Sequence, residues 1–419
     1  MAHLPSSGKH AFLAMAAQHA TPILLPQFSL SDLALIMGAF VSCRTPLPRN
    51  LSDKIYGKVV VEANRAAGSV AKMARGSKKN HSAIISNNKL VSLCKGLVHY
   101  AAPSSGISAV QALQPLVATH ASSELVGDRG KSGLTIASLI GAQANLRVRD
   151  ILFSQTVEDC LCRHVESITS MSHLEQVLSS VATLKIHSVK LLTVVDGQLL
   201  KLLPDLTYAA SIRILMAFST IGFANFSPRT TDVLLPRVRD LFNGVSSEDG
   251  ILMDSKAAAQ LQIAASAWRL HARSEHANLQ ADSMLDWTAE ATDKVLLPDR
   301  MDPLPPLGLL REVHSSLSRL LNVSHDLSHE SPSPLGAGKC VGGFYPDLVF
   351  QRTSDSIVAI EVDGPQRFYY GTQDRLAVIE LKRVVLQQFF DEIICIGSWE
   401  WPDDKSDQER FLRERLLLQ

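Results

Sequence analysis

Tyr345-Pro346-Asp347-Leu348-Val349-Phe350 and Ile357-Val358-Ala359-Ile360-Glu361-Val362-Asp363-Gly364-Pro365 are two β-rich runs separated by the polar segment Gln351 to Ser356. Such a pair reads as a hairpin. With a five-residue loop at Arg352 to Ser356, Gln351 faces Ile357, and counting back sets Asp347 across from Glu361. Their Cβ atoms then lie ~5 Å apart on one face of the sheet. Asp363, two residues past Glu361, points to the same face. Buried like charges are costly unless a metal, a basic partner or solvent meets them. Either the three carboxylates form a site, or they mark a polar strand end with Asp363-Gly364-Pro365 as a turn.

Downstream, Leu381, Val385 and Phe389 recur at helical spacing within Asp374 to Phe390, with Thr372 or Asp374 as the expected N-cap. Glu392 to Ile396 reads as a further strand, closed by Gly397-Ser398-Trp399-Glu400-Trp401. Trp399 and Trp401 alternate with Glu400, which on a strand sets both indoles on one face, for stacking on bases or for packing against the last repeat. The order strand, strand, helix, strand carries Glu361-Val362-Asp363-Gly364-Pro365, Leu381-Lys382-Arg383 and Trp399-Glu400-Trp401. With these motifs, the last fifth of the chain resembles the RAP domain, a small RNA-associated module of organellar proteins with a restriction-endonuclease-like core. Two residues depart from the pattern. Arg367 stands where the family often has histidine. Asp363 stands where the nuclease fold has a lysine, two residues after its glutamate. That lysine would hold the attacking water, which aspartate alone cannot do. Asp347, Glu361 and Asp363 are therefore candidates for a vestigial catalytic site, met by basic groups such as Arg367 and Lys382.

The chain has 419 residues, 46% of them hydrophobic, which allows two or three domains with a substantial core. The longest apolar candidate span, Leu33 to Val41, is about half of the ~20 residues a membrane helix needs. Six scattered cysteines, with only Cys160 and Cys162 close together, make a poor zinc site and read as reduced thiols. His164, His187 and His271 are too dispersed in sequence to assign to a metal. Gly130-Lys131-Ser132 lacks the first glycine and the preceding strand of a phosphate-binding loop.

The formal net charge of zero hides a split. Residues 1–120 hold twelve Lys or Arg against three acids, net +9, and the remainder is net −9. A basic arm on an acidic chain points to a polyanion partner. Its candidate RNA-binding residues are Lys54, Lys58, Arg65, Lys72, Arg75, Lys78, Lys79, Lys89 and Lys95, several sharing a helix face and others in an exposed loop at 75–81. To these are added Arg367, Lys382 and Arg383 of the C-terminal module. Each phosphate neutralised releases counterions, so this face could supply most of the non-specific affinity for RNA.

Residues 1–31 read as a possible targeting or extended segment, poor in acids but also lacking arginine. A basic helical region covers 32–133, opening with a helix from Leu30 to Val41 capped by Ser29 or Ser31. From 134 to 321 the chain reads as helical repeats. Leu146-Arg147-Val148, Leu184-Lys185-Ile186 and Ile221-Gly222-Phe223 lie 38 and 37 residues apart, and Trp268-Arg269-Leu270 follows if Gly244 to Gly250 is an insertion. Two helices per unit at this period predict an α-solenoid, or else an irregular helical domain. A Pro/Ser/Gly-rich linker at 322–338 precedes the module at 339–419, and cutting it is expected to leave two independently folded parts.

The expected fold is thus mainly α: an irregular α-solenoid of helical hairpins followed by a small α/β restriction-endonuclease-like domain. Helical (heptatricopeptide- or octotricopeptide-like) repeats ahead of a RAP domain are also the layout of FAST kinase-like and apicomplexan organellar proteins. That resemblance implies a non-catalytic RNA-binding protein of the mitochondrial matrix, associated with ribosomal RNA and ribosomal proteins or with transcript maturation. It implies no cofactor, membrane span or small-molecule substrate. The alternatives are a metal-dependent endoribonuclease, with Mg²⁺ held by Asp347 and Glu361, and a peptide-binding solenoid scaffold.

Overall fold

A computed structural model describes residues 24–43, 49–74, 87–100, 107–116, 132–149, 151–186, 188–248, 255–271, 286, 308–324, 341–353, 356–369 and 372–416. The chain divides into two compact units, Met1–Leu206 and Thr207–Gln419. The structure is mainly helical, with one small sheet near the C-terminus. No helix among the described residues is long and apolar enough to cross a membrane.

The first unit holds helices α1 (Leu30–Ser42), α2 (Arg49–Ala74), α3 (Asn87–Tyr100), a stretch at 107–116, α4 (Ser132–Leu146), α5 (Ile151–His164), α6 (Met171–Leu184) and α7 (Val189–Leu202). Ser29 opens α1 with a capping box: its hydroxyl accepts the Asp32 N–H while its own N–H donates to the Asp32 carboxylate at 2.9 Å. The Ser29 hydroxyl, 2.6 Å from the Asp32 carboxylate, and the Ser29 N–H hold the Asp32 pKa below the usual range. Alternate helices touch: α1 with α3, α3 with α4, α4 with α6, and α5 with α7. Adjacent helices also touch, α4 with α5 and α6 with α7.

The recurring triplets are helix ends. Arg147 and Lys185 follow the last residues of α4 and α6 in left-handed backbone, φ 58° and 55°. Val148 N–H reaches back to Gln143 O at 3.1 Å and Ile186 N–H to Val181 O at 3.0 Å, closing the same terminal loop twice. The apolar residue after each cap, Val148 or Ile186, is buried and anchors the exit. At the third position Gly222, φ 98°, ends α8 (Tyr208–Ile221). A side chain in that region costs roughly 1 kcal/mol more than glycine, so two of the three caps carry local strain. The fourth triplet does not belong to the series. Trp268 lies inside α10 (Ser255–His271), stacked on Phe223 with ring centroids 5.4 Å apart.

The second unit continues from α8 with α9 (Pro228–Glu248), α10 and α11 (Leu309–Ser324). Then come β1 (Leu348–Thr353), β2 (Ser356–Asp363), α12 (Ala377–Leu386), β3 (Glu392–Gly397) and α13 (Lys405–Leu416). The sheet order is β1-β2-β3, with β2 antiparallel to β1 and parallel to β3. Gln351 pairs with Ile357 and Leu348 with Ile360, the register that sets Asp347 opposite Glu361. The expected five-residue loop is shorter, because Thr353 also pairs with Ser356 after an irregularity at Arg352. Ser354 and Asp355 lie outside the described residues.

Alternation along β2 gives the sheet two unlike faces. Val358, Ile360 and Val362 join Leu348, Phe350, Ile394 and Ile396 in an apolar face covered by Val313, Leu317 and Leu320 of α11 and by Leu412 and Leu416 of α13. The sequence pattern groups α11 with the repeats. Its apolar stripe instead closes the core of the sheet, because a sheet face of this kind needs a covering layer. The expected linker at 322–338 begins inside α11, and residues 325–340 lie outside the described residues. Helix α12 also touches α8 and α10. The turn Val341–Phe344, closed by Val341 N–H to Phe344 O at 2.8 Å, sits against α10 at Gly343. The N-cap of α12 is Leu376, without a side-chain bond, whereas Thr372 accepts the Asp374 N–H at 3.1 Å in the preceding turn.

A 339–419 fragment would lack α11, part of the cover of its apolar sheet face. Burying Val313, Leu317 and Leu320 contributes about 5–9 kcal/mol together, comparable to the net stability of a whole domain, about 5–15 kcal/mol. A fragment spanning 339–419 is expected to lack a cooperative unfolding transition by circular dichroism, and a fragment spanning 207–419 to show one. A cooperative transition in the shorter fragment would refute the role of α11.

Candidate functional site

The second face of β2 carries Ala359, Glu361 and Asp363, and on it the three carboxylates converge. Asp347 lies just before β1, and its Oδ2 accepts the Val362 N–H at 2.8 Å. Glu361 Oε1 in turn accepts the Asp347 N–H at 3.2 Å. Glu361 and Asp363 are 3% and 1% exposed. Acids so deeply placed need charge partners, and the chain supplies three.

Gly364-Pro365 turns the backbone into a single 3-10 turn, Pro365–Arg367, which brings Arg367 back over the end of β2. Its Nη2 donates to Asp347 Oδ1 at 2.8 Å, and its Nη1 to Glu361 Oε2 at 2.8 Å and Asp363 Oδ1 at 3.3 Å. Lys382 on α12 sets Nζ 2.5 Å from Glu361 Oε2 and 3.9 Å from Asp347 Oδ1. Arg375 completes the set, with Nε 2.7 Å from Asp363 Oδ2. Three acids face three bases, and the formal charge cancels.

Electrostatics follow from that closure. Burial works against the Arg367 charge, but the hydrogen bond and attraction of Asp347, joined by Glu361 and Asp363, outweigh it and raise its pKa further. Arg375 is raised for the same reasons, with Asp363 as its anion. Glu361 goes the other way for an acid. Burial pushes its pKa up, against the pull of Lys382, and neighbouring Asp347 adds to the rise. Such a group binds its proton more readily folded than unfolded. Its contribution to stability therefore falls as pH climbs from the ordinary glutamate value through the raised one.

The donor set does not suit a divalent ion. Every carboxylate oxygen that Asp347, Glu361 and Asp363 would offer already accepts from a cation or a backbone N–H. Coordination would require expelling a guanidinium and an ammonium from buried ion pairs. Chemically, the arrangement ties β1, β2, the 364–376 segment and α12 together.

Arg375 is the residue that sequence spacing misses. A helix starting at Asp374 would carry it away, but an isolated bridge between Phe368 and Arg375 folds it back beside Asp363. Arg383 is exposed on α12 and stands outside the cluster. The two tryptophans part company because the strand ends at Gly397 and a turn follows, with Glu400 N–H bonded to Gly397 O at 3.0 Å. Trp399 meets Phe368 edge-on at 4.5 Å and is 47% exposed. Trp401 packs on Phe411 and donates to Glu312 at 3.1 Å. They do not share a face.

Of the basic arm, Lys54, Lys58 and Arg65 lie on α2. Glu62, one of the few acids there, takes Lys58 at 2.7 Å and Arg65 at 2.8 Å, and Lys58 also donates to Pro26 O. Lys54 is exposed and Lys89, on α3, is half-buried. Lys72 and Lys95 belong to α2 and α3, but their side chains lie outside the described residues, as do Arg75, Lys78 and Lys79 altogether. No protein-family model matches the chain, and no curated protein matches it significantly.

Proposed function

We propose that the chain is a non-catalytic RNA-binding protein of the mitochondrial matrix, associated with ribosomal RNA as part of a ribonucleoprotein. On this reading, residues 134–271 are solenoid-like hairpins and the C-terminal sheet is a RAP-type module with a restriction-endonuclease-like core. The observation that carries it is the closed charge cluster. Where a nuclease of that fold would hold metal and activate water, Arg367, Lys382 and Arg375 neutralise all three acids. The strand, strand, helix, strand order and the motifs on it support the module, and the repeated caps 38 residues apart support the hairpins. The net +9 of the first 120 residues supports a polyanion partner. Ribosomal proteins are the natural neighbours for a subunit of this kind.

Crosslinking the tagged protein in cells and sequencing the attached RNA tests the reading. The expected result is a few discrete footprints in mitochondrial ribosomal RNA. Recovery of protein crosslinks without RNA would favour a scaffold. Purified protein is expected to give no Mg²⁺- or Mn²⁺-dependent cleavage of RNA. Cleavage lost in both Asp347→Ala and Glu361→Ala, with folding intact, would make it a nuclease.

A further inference from the structure

Arg147 and Lys185 are the only non-glycine residues with left-handed backbone among those described, and they occupy equivalent helix ends one hairpin apart. Glycine is the relaxed choice for that conformation, whereas the third end, Gly222, has a different backbone, φ 98° and ψ 120°. Long-chain cations stand at the other two. Strain retained at a surface loop points to a use for the side chain.

The same two loops border an open cleft of about 300 Å³. Arg149 enters it from the loop after α4, Lys185 and Ser188 from the loop after α6, and Ser154, Gln155 and Glu158 from α5. The Ser188 hydroxyl donates to the Glu158 carboxylate. The cleft therefore combines cations with hydroxyl, amide and carboxylate groups.

We infer that this edge of the hairpins binds the sugar–phosphate backbone of single-stranded RNA, with Arg147, Arg149 and Lys185 meeting phosphates. The inference rests on the RNA-binding reading above and adds where the backbone lies. Helices α4 and α6 pack side by side, which sets successive caps ~10 Å apart. Cations stepping along an edge suit a linear polyanion better than a single small anion. Glu158 would repel phosphate and acidic peptide alike, and what favours RNA is the ribose 2′-hydroxyl, which can donate to Glu158 and accept from Ser154 and Gln155.

The test uses the full-length protein, a labelled mixed-sequence single-stranded RNA, and the variants Arg147→Gly and Lys185→Gly. Glycine relieves the strained backbone while deleting the cation, so each variant is expected to raise Tm by about 2–4 °C. Each is also expected to weaken RNA binding and to reduce the slope of log affinity against log salt by roughly 0.7 for every phosphate no longer neutralised. Lys185→Asn, uncharged yet tolerant of left-handed backbone, is expected to reproduce the weaker binding. DNA of the same sequence is expected to bind more weakly than RNA. Higher Tm with unchanged affinity and slope would reduce the two residues to helix caps and overturn the inference, leaving RNA binding itself intact. Competition by polyglutamate as effective as RNA at equal charge would overturn the assignment to RNA. A wild-type chain that binds no RNA at all would defeat the functional reading and this inference with it.

Discussion

Arg367→Ala is expected to lower the unfolding free energy by about 3–5 kcal/mol, the usual cost of removing one partner from a buried ionic cluster. The side chain is the hub of the site, bonded to Asp347, Glu361 and Asp363 at once. Its loss leaves three acids facing Lys382 and Arg375 alone. Urea unfolding of the full chain measures the effect, and a change below about 1 kcal/mol would show the cluster to be dispensable. Arg367→His gives a sharper version. A histidine held by these carboxylates has a folded pKa raised above its unfolded value of about 6.5. The stability it contributes is then complete below that unfolded value and disappears as pH rises through the folded one. The histidine variant should therefore be close to wild type in mild acid and as weak as the alanine variant in mild alkali.

Gly343→Ala is expected to cost about 3 kcal/mol by adding overpacking, about 1–3 kcal/mol, to left-handed strain, about 1–2 kcal/mol. Gly343 has φ +81°, and a Cβ there would stand 2.2 Å from Ala259 O and 2.8 Å from Ile263 N. Both are backbone atoms of α10, which cannot swing aside as a side chain would. The turn at Val341–Phe344 thus depends on a bare backbone to lie flat on α10. A lower urea midpoint at unchanged slope is the expected signature. A variant within about 0.5 kcal/mol of wild type would mean the turn does not rest there.

The hairpin was readable because period-2 alternation and pairing arithmetic leave little freedom once one facing pair is chosen. Gln351 against Ile357 fixes Asp347 against Glu361, and Arg367 and Lys382 follow as the nearby bases. Arg375 was not readable, since it arrives through a backbone bridge that no periodicity encodes. The allegiance of α11 was hidden for a different reason. An amphipathic stripe such as Val313, Leu317 and Leu320 announces that a face will be buried, not which surface will bury it. The triplets at Arg147 and Lys185 were legible as a period, while Trp268-Arg269-Leu270 matched only in kind, apolar–basic–apolar, which any helix interior can supply. In the basic arm, the net charge counts Glu62 but not its placement, four residues from Lys58 and three from Arg65, where it pairs with both.

The unlike faces of β2 also bear on how this chain avoids folding wrongly. Sliding β1 by a single residue against β2 would reverse every β1 side chain. Asp347 would then turn toward Val313, Leu317 and Leu412, while Leu348 and Phe350 would meet Arg367 and Lys382. Mispairing therefore strands a charge in oil and oil among charges simultaneously. The cluster's worth lies less in added stability than in making the neighbouring registers intolerable, so that the hairpin has one way to close.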